Sequence, residues 1–361
     1  MRFMPSTRGM LFSSLAVAVA MFAIACGSST GTSSADVGTG ALTGAGSSFD
    51  NPLFSKAFFD YTQQHPNVTV NYQPVGSGAG VQQFIKNTVD FGATDVPMGG
   101  ADITSAGGTD AMTQIPVTLG VVAIAFNVKG VTSLNLDADT LTGIFLGKIK
   151  TWNDPAIAAL NSGASLPSTK ITTVHRSDGS GTTYIFTDYL SKVSSDWKSQ
   201  VGASKSVKWP VGIAAAQTQG VAQAITQTDG AIGYVELAYA IQTNMTTAML
   251  KNANGKFVAP TPAGATAAAT QNSSISATNF SIVNEPGDTT YPIAGFSWVV
   301  LRTSYSDAGK GKAVVYLMKW LVTDGQSEGT SLQSAPLPQS VQQLALTNLK
   351  LIKAGGSAVL S

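Results

Sequence analysis

Two apolar patterns alternate along this chain. Residues 68–72, 91–94, 120–128, 171–175, 231–235 and 296–301 are short, β-prone apolar runs that predict strands. Between them lie amphipathic stretches of helical period. Residues 51–64 put Leu53, Phe54, Ala57, Phe58 and Tyr61 on one helical face. Residues 184–193 repeat the pattern with Phe186, Tyr189, Leu190 and Val193, and residues 341–351 do so again. Strand and helix in alternation imply an α/β fold with parallel or mixed sheets. Residues 260–281, rich in Ala, Thr and Ser, are expected to form a surface excursion. No repeat of fixed period interrupts this alternation.

The N-terminus has a different pattern. Arg2 and Arg8 precede an uncharged, mostly apolar run over residues 10–25. A membrane span needs about 20 apolar residues, so this run fits the apolar region of a secretory signal better. It ends in Ala23-Ile24-Ala25-Cys26, and Cys26 is the only cysteine of the chain. A lone cysteine forms no internal disulfide. Small residues directly before it resemble a lipoprotein cleavage site, which would make Cys26 the acylated new N-terminus; the alternatives are a chance cysteine at the end of a signal peptide and an uncleaved membrane anchor. Residues 27–40 are small and polar and read as a flexible tether.

Composition narrows the classes. The 361 residues suffice for two domains and a sizeable core. Apolar residues are 43% and charged residues 11%, which describes a charge-poor globular protein. Net charge is +1, and removing Arg2 and Arg8 with a leader turns it slightly acidic. Nucleic-acid binding relies on concentrated Lys and Arg, so no such partner is implied.

The chemistry gathers in three Gly- and Ser-rich loops, each ahead of a helical pattern: Gly44 to Phe49, Gly76 to Gly80, and Arg176 to Thr182. Helix starts carry unpaired N–H groups and the positive end of the macrodipole. Glycine lets the backbone approach a ligand closely, and hydroxyls add donors. One such loop is explained by ordinary capping. Three in one α/β chain make a polydentate anion site plausible.

Other chemistries lack their residues. There is no GxxxxGK[ST] loop, and Gly46-Ser47-Ser48 and Gly179-Ser180-Gly181 lack the GxSxG elbow. The only histidines are His65, expected at a helix end, and His175, beside the third loop. No cluster of His, Cys and carboxylates has metal-ligand spacing, and no cofactor is implied. Ser180 with His175 as its base is conceivable, but strand alternation points neighbouring side chains to opposite faces.

The segments LTGAGSSFDNP (42–52), VNYQPVGSGAGVQQFIKNTVDFGATDVP (70–97), LGKIKTWNDPAIAALN (146–161), VHRSDGSGTTYIFTDYLSKV (174–193), VKWPVG (207–212) and GAIGYVELAYA (230–240) carry a resemblance. In order and spacing, they resemble the phosphate-binding receptor of bacterial phosphate ABC importers. The RxDGSGT and DFGATD elements are the specific ones. The resemblance implies a two-lobed periplasmic-binding-protein fold of type II, hinged between lobes. Residues 1–25 would be the signal peptide and 26–40 the lipidated cysteine and tether. Lobe I would comprise residues 41–118 and 291–361, and lobe II residues 119–290, with crossings near Thr118 and Tyr291.

The resemblance also implies a non-enzymatic site. Ser48 and the backbone N–H of Phe49 stand as donors of the first loop, and Ser77 of the second. Asp95 stands as the acceptor of a phosphate O–H. Arg176 is the charged donor, with Asp178 as its partner. Ser180, Gly181 and Thr182 are the donors of the third loop. The partners implied are inorganic phosphate, the membrane permease subunits, and the membrane itself through lipid on Cys26, with the receptor acting as a monomer. Asp50 stands where the family often has Pro and is expected to cap the helix that follows. His175 replaces a more usual basic residue. The rival readings are a receptor for another oxyanion such as sulfate or molybdate, a secreted Ser-based hydrolase or phosphoesterase, and an envelope protein that has lost binding.

Overall fold

The computed structural model describes residues 36–361. The expected signal peptide, Cys26 and most of the tether lie outside them.

Strand β1 (Gly40–Gly46), helix α1 (Asn51–Gln64), strand β2 (Val68–Gln73), helix α2 (Ser77–Ile85) and strand β3 (Phe91–Thr94) come first. The long strand β4 (Met112–Asn127) follows. Then come β5 (Thr172–Arg176), α3 (Gly181–Val193), β6 (Ile213–Ala215), α4 (Gln217–Gln227) and β7 (Ala231–Glu236). The chain closes with α5 (Pro262–Gln271), β8 (Ala294–Arg302), α6 (Ala308–Val322) and α7 (Gln339–Leu349).

The strands join one mixed sheet in the order β2-β1-β3-β8-β4-β7-β5-β6, with Thr246–Thr247 pairing off β4. The pairs β1–β2, β1–β3, β5–β6 and β5–β7 are parallel. Strand β4 runs through the middle. It pairs antiparallel with β8 from Met112 to Val121, then with β7 from Val122 to Asn127. At the change of partner, the Val122 N–H donates to the Ile293 carbonyl at 2.9 Å.

Helices dock on this sheet through their apolar faces. Val81 and Phe84 of α2 pack with Ala45, Met98 and Val300. Val221, Ala222 and Ile225 of α4 pack with Val174 and Val235. Burying one such side chain contributes about 1.5–3 kcal/mol. This packing fixes where the first turns of α2 and α4 lie.

Some expectations need correction. Strand β1 has three glycines and little β propensity, so the pattern does not reveal it. Parallel partners on both sides hold it instead. Strand β4 starts eight residues before the expected 120, because Pro116 breaks the local signal but is absorbed in the ladder opposite Trp298. Within the expected surface excursion over residues 260–281, residues 262–271 form a helix with a buried face. Thr261 caps it by accepting from the Gly264 N–H at 3.1 Å, and Gly264, Ala265, Ala268 and Ala269 are buried. Small side chains there allow close packing, which a composition-based reading discounts.

Candidate functional site

In α/β sheets, ligands bind outside the carboxyl ends of parallel strands. Here those ends deliver Ser47 after β1, Asp95 after β3, Arg176 at the end of β5, and Glu236 at the end of β7. All four are buried.

Asp95 is the hub. Its Oδ1 accepts from Ser47 Oγ at 2.6 Å and lies 2.9 Å from Ser297 Oγ. Its Oδ2 accepts from Ser77 Oγ at the longer distance of 3.3 Å. Ser77 Oγ also accepts from the Asp95 N–H and, at 3.2 Å, from the Gly181 N–H. Oδ1 is thus committed to the protein, while Oδ2 keeps acceptor capacity. Gly181 leaves room beside it, since a Cβ there would lie 2.4 Å from Asp95 Oδ2. Ser297 reaches the hub because the β8–β4 register shifts between Ser297 and Trp298. Such bulges re-aim side chains near functional sites.

Arg176 and Asp178 form the charged part. Arg176 Nε donates to Asp178 Oδ1 at 2.8 Å, and Nη2 pairs with Asp178 Oδ2. The Arg176 side chain is 2% exposed and that of Asp178 22%, so the pair is buried at the arginine and half-buried at the carboxylate. The Gln217 N–H also donates to Asp178 Oδ1 at 2.9 Å, and the Tyr234 hydroxyl accepts from the Arg176 N–H at 3.1 Å. Gly76, with φ 93°, makes space for the pair, because a Cβ there would meet Asp178 Oδ2 at 2.4 Å.

The remaining expected residues lie around this hub. Ser48 Oγ is 3.1 Å from Thr218 Oγ1. The Phe49 N–H donates to Ser47 Oγ at 3.0 Å, so within the protein it serves the hub indirectly. Ser180 caps α3, accepting from the Thr183 N–H at 3.2 Å. Thr182 Oγ1 is buried with no hydrogen-bond partner among the described residues. His175 stacks on Trp209 with centroids 4.7 Å apart, and its Nδ1 lies 3.2 Å from the Arg176 carbonyl. It is a packing residue, and Ser180 is engaged elsewhere, so the Ser–His hydrolase geometry is not formed. His65 is the C-cap of α1, its ring tilted against Tyr61 with centroids 4.4 Å apart.

Sequence reasoning missed Ser47, Thr218, Glu236 and Ser297. Ser47 lies in the loop after β1 and Thr218 in the first turn of α4, both weak signals. Ser297 lies in an apolar strand and gives none. Asp50 contradicts its expected role. It occupies the N-cap position of α1 but makes no cap hydrogen bond. Its side chain is turned inward, with Oδ2 2.6 Å from Ser297 Oγ. Its α-region backbone (φ −76°, ψ −15°) differs from the extended form usual at N-caps.

Burial sets the protonation pattern. It raises Asp95 above the usual carboxylate value, while Ser47, Ser297, Arg176 and Ser77 oppose the rise. Burial raises Asp50 well above that value, helped by Asp95 and Glu236, with only Ser297 opposing. Burial pushes Glu236 up to about 8, against its own N–H, Thr218 and Arg176. For Asp178, burial acts upward, but Arg176 and Gln217 outweigh it and its value is lowered. Burial lowers His175, against the Arg176 carbonyl.

A mixed sheet of this topology, with these strand ends converging on one buried polar hub, defines a periplasmic-binding-protein fold. A family profile for the PBP superfamily domain matches residues 30–324. The phosphate-binding protein PstS of Pasteurella multocida is 43% identical over 306 residues, covering 84% of this chain and 88% of the relative. PstS of Xylella fastidiosa is 41% identical over 304 residues, covering 83% and 82%. PstS of Methanocaldococcus jannaschii is 36% identical and covers 85% of both chains. The chain belongs to the PstS family of phosphate-binding proteins.

Solved structures agree on the fold. A high-affinity periplasmic phosphate-binding protein bound with phosphate has a TM-score of 0.69 at 22% identity, covering 85% of this chain and 93% of that one. A phosphate-binding protein from Stenotrophomonas maltophilia has a TM-score of 0.66 at 20% identity, with the same coverage. Among the described residues, no helix is long and apolar enough to cross a membrane.

Proposed function

We propose that this protein is an extracytoplasmic receptor that binds inorganic phosphate at the Asp95 hub and delivers it to an ABC-type import permease. One observation carries the reading: a buried acceptor, Asp95, is surrounded by hydroxyl donors and faces the buried Arg176. Phosphate keeps a proton near neutral pH, which Asp95 Oδ2 can accept. Sulfate has none and meets only negative charge there. Ser48, the Phe49 N–H, Ser77, Arg176, Ser180, Gly181 and Thr182 complete the donor set. Arg176 supplies charge-assisted bonds, and Asp178 orients it.

Two lobes would close on the anion by hinge motion. The change of sheet partner at Val121–Val122 and the Ile293 contact support crossings within a few residues of Thr118 and Tyr291. The tether and lipid on Cys26 would hold the receptor at the membrane. Stable anchoring needs more than one acyl chain, which a lipoprotein cysteine supplies.

Equilibrium dialysis with radiolabelled phosphate tests the ligand. Retention that survives excess sulfate and molybdate supports the phosphate reading, and displacement by either anion contradicts it. Fatty-acid labelling that disappears in Cys26→Ala tests the anchor.

A further inference from the structure

Ser297 Oγ contacts two buried carboxyl groups. It lies 2.6 Å from Asp50 Oδ2 and 2.9 Å from Asp95 Oδ1. A serine hydroxyl carries one hydrogen. If both carboxyls were ionised, two anions would compete for that hydrogen. The 2.6 Å contact is typical of a hydroxyl hydrogen bond that has its own proton. One carboxyl must therefore supply a second proton.

The surroundings decide which one. Asp95 Oδ1 already accepts from Ser47, and Asp95 faces Arg176. Asp50 Oδ1 is buried without a hydrogen-bond partner among the described residues, and no Lys or Arg forms an ion pair with Asp50 there. The groups facing Asp50 are Asp95 after β3, Glu236 at the end of β7, Ser297 in β8 and the Tyr72 phenol in β2. None supplies positive charge. An ionised, unpaired carboxylate buried there would be costly, whereas a neutral acid with one free carbonyl oxygen is tolerable.

Resting on the phosphate-site reading, we propose that Asp50 is a protonated positioning residue that acts through Ser297 to fix the acceptor face of Asp95 and thereby sets anion specificity. The proton on Asp50 Oδ2 is donated to Ser297 Oγ. The Ser297 proton is donated to Asp95 Oδ1. With Ser47 on the same oxygen, Oδ1 is saturated, and Oδ2 alone is left for the ligand. Asp50 adds no charge to the anion site while it holds its proton. When it ionises, a negative charge stands one hydroxyl away from Asp95, and anion binding weakens. Affinity therefore falls as pH rises through the Asp50 titration.

Infrared spectra of the ligand-free protein test the proton directly. At neutral pH the wild type should show the C=O stretch of protonated carboxylic acid, with one component lost in Asp50→Asn and a separate one in Glu236→Gln. Binding tests the positioning. Asp50→Ala should weaken phosphate binding by about tenfold or more. Asp50→Asn, whose amide can still donate to Ser297, should recover most of that loss and show a shallower alkaline fall than wild type. Ser297→Ala should mimic Asp50→Ala, and serves if Asp50→Ala does not fold. A carboxylic-acid band unchanged in Asp50→Asn, or a wild-type pH profile in that variant, overturns the inference. Failure of the wild type to bind phosphate would instead strike the ligand assignment, with the infrared result still deciding whether Asp50 is protonated.

Discussion

The Gly78 N–H donates to the Gly179 carbonyl at 2.8 Å, joining the first turn of α2 to the loop that opens α3. The two loops belong to the chain segments that the proposed division puts in opposite lobes. Lys205 and Asp102, 3.6 Å apart, join the same two segments near the surface. The approach is tight, since a Cβ on Gly179 would lie 3.3 Å from Gly78 Cα. Gly179→Val should prevent this contact. The expected cost is roughly 1–3 kcal/mol of phosphate affinity, seen as faster release in stopped-flow measurements. Release at the wild-type rate would mean that this contact has no part in holding the anion.

Asp95→Asn replaces an acceptor-only oxygen pair with an acceptor and a donor. Sites built around a ligand hydroxyl reject analogues lacking it by about 10⁴–10⁵, and much of that ratio should vanish here. The wild type should make the same transition with acid. Burial raises the Asp95 value, so the carboxylate is lost as pH falls through it, earlier than for an exposed aspartate. A protonated Asp95 can donate to sulfate, so sulfate binding should appear on the acid side. Asp95→Asn should lack that pH dependence. Competition titrations across pH separate the two cases.

Thr218 links the first loop to the charged pair. Its Oγ1 is 3.1 Å from Ser48 Oγ and 3.5 Å from Arg176 Nη1. Thr218→Val keeps the shape but leaves both groups short of a partner. Leaving a buried polar group unsatisfied costs about 1–3 kcal/mol. Phosphate affinity should fall accordingly, and with it the rise in melting temperature that phosphate gives the folded protein. A variant with full affinity would reduce Thr218 to packing.

Glu236 gives a stability prediction. Burial raises it from the ordinary 4.5 to about 8 in the folded protein. The folded state therefore holds a proton that the unfolded state has lost over this range. Its contribution is complete below about 4.5 and disappears as pH rises through about 8, so stability should decline between them. Glu236→Gln should flatten that decline in urea unfolding curves. An equal slope in wild type and variant would place the proton elsewhere, with Asp50 the next group to examine.

Most of the architecture could be read from the chain because apolar periodicity survives wherever an element packs on one face. Helix α1 matches its pattern from Asn51 to Gln64, and β3 matches from Phe91 to Thr94. The pattern fails where tertiary pairing replaces local preference, as in glycine-rich β1 and at Pro116 within β4. The site divides in the same way. Asp95, Arg176, Asp178 and the third loop lie in contiguous motifs, and the family resemblance of those motifs singles them out; local sequence alone would read Asp95 as a turn or cap residue. Ser297 is brought in from the far end of the sequence by a bulge, and no local feature distinguishes it from a core strand residue. Asp50 sits in a sequence context that favours a cap. Only the inward turn of its side chain toward Ser297 reveals its place in the hub.

Isothermal titration calorimetry on anion-stripped protein, with phosphate first and sulfate second, tests the central claim most directly. The account predicts tight one-to-one binding of phosphate near neutral pH and no heat from sulfate. Sulfate binding of comparable strength, or folded protein that does not bind phosphate, would contradict it.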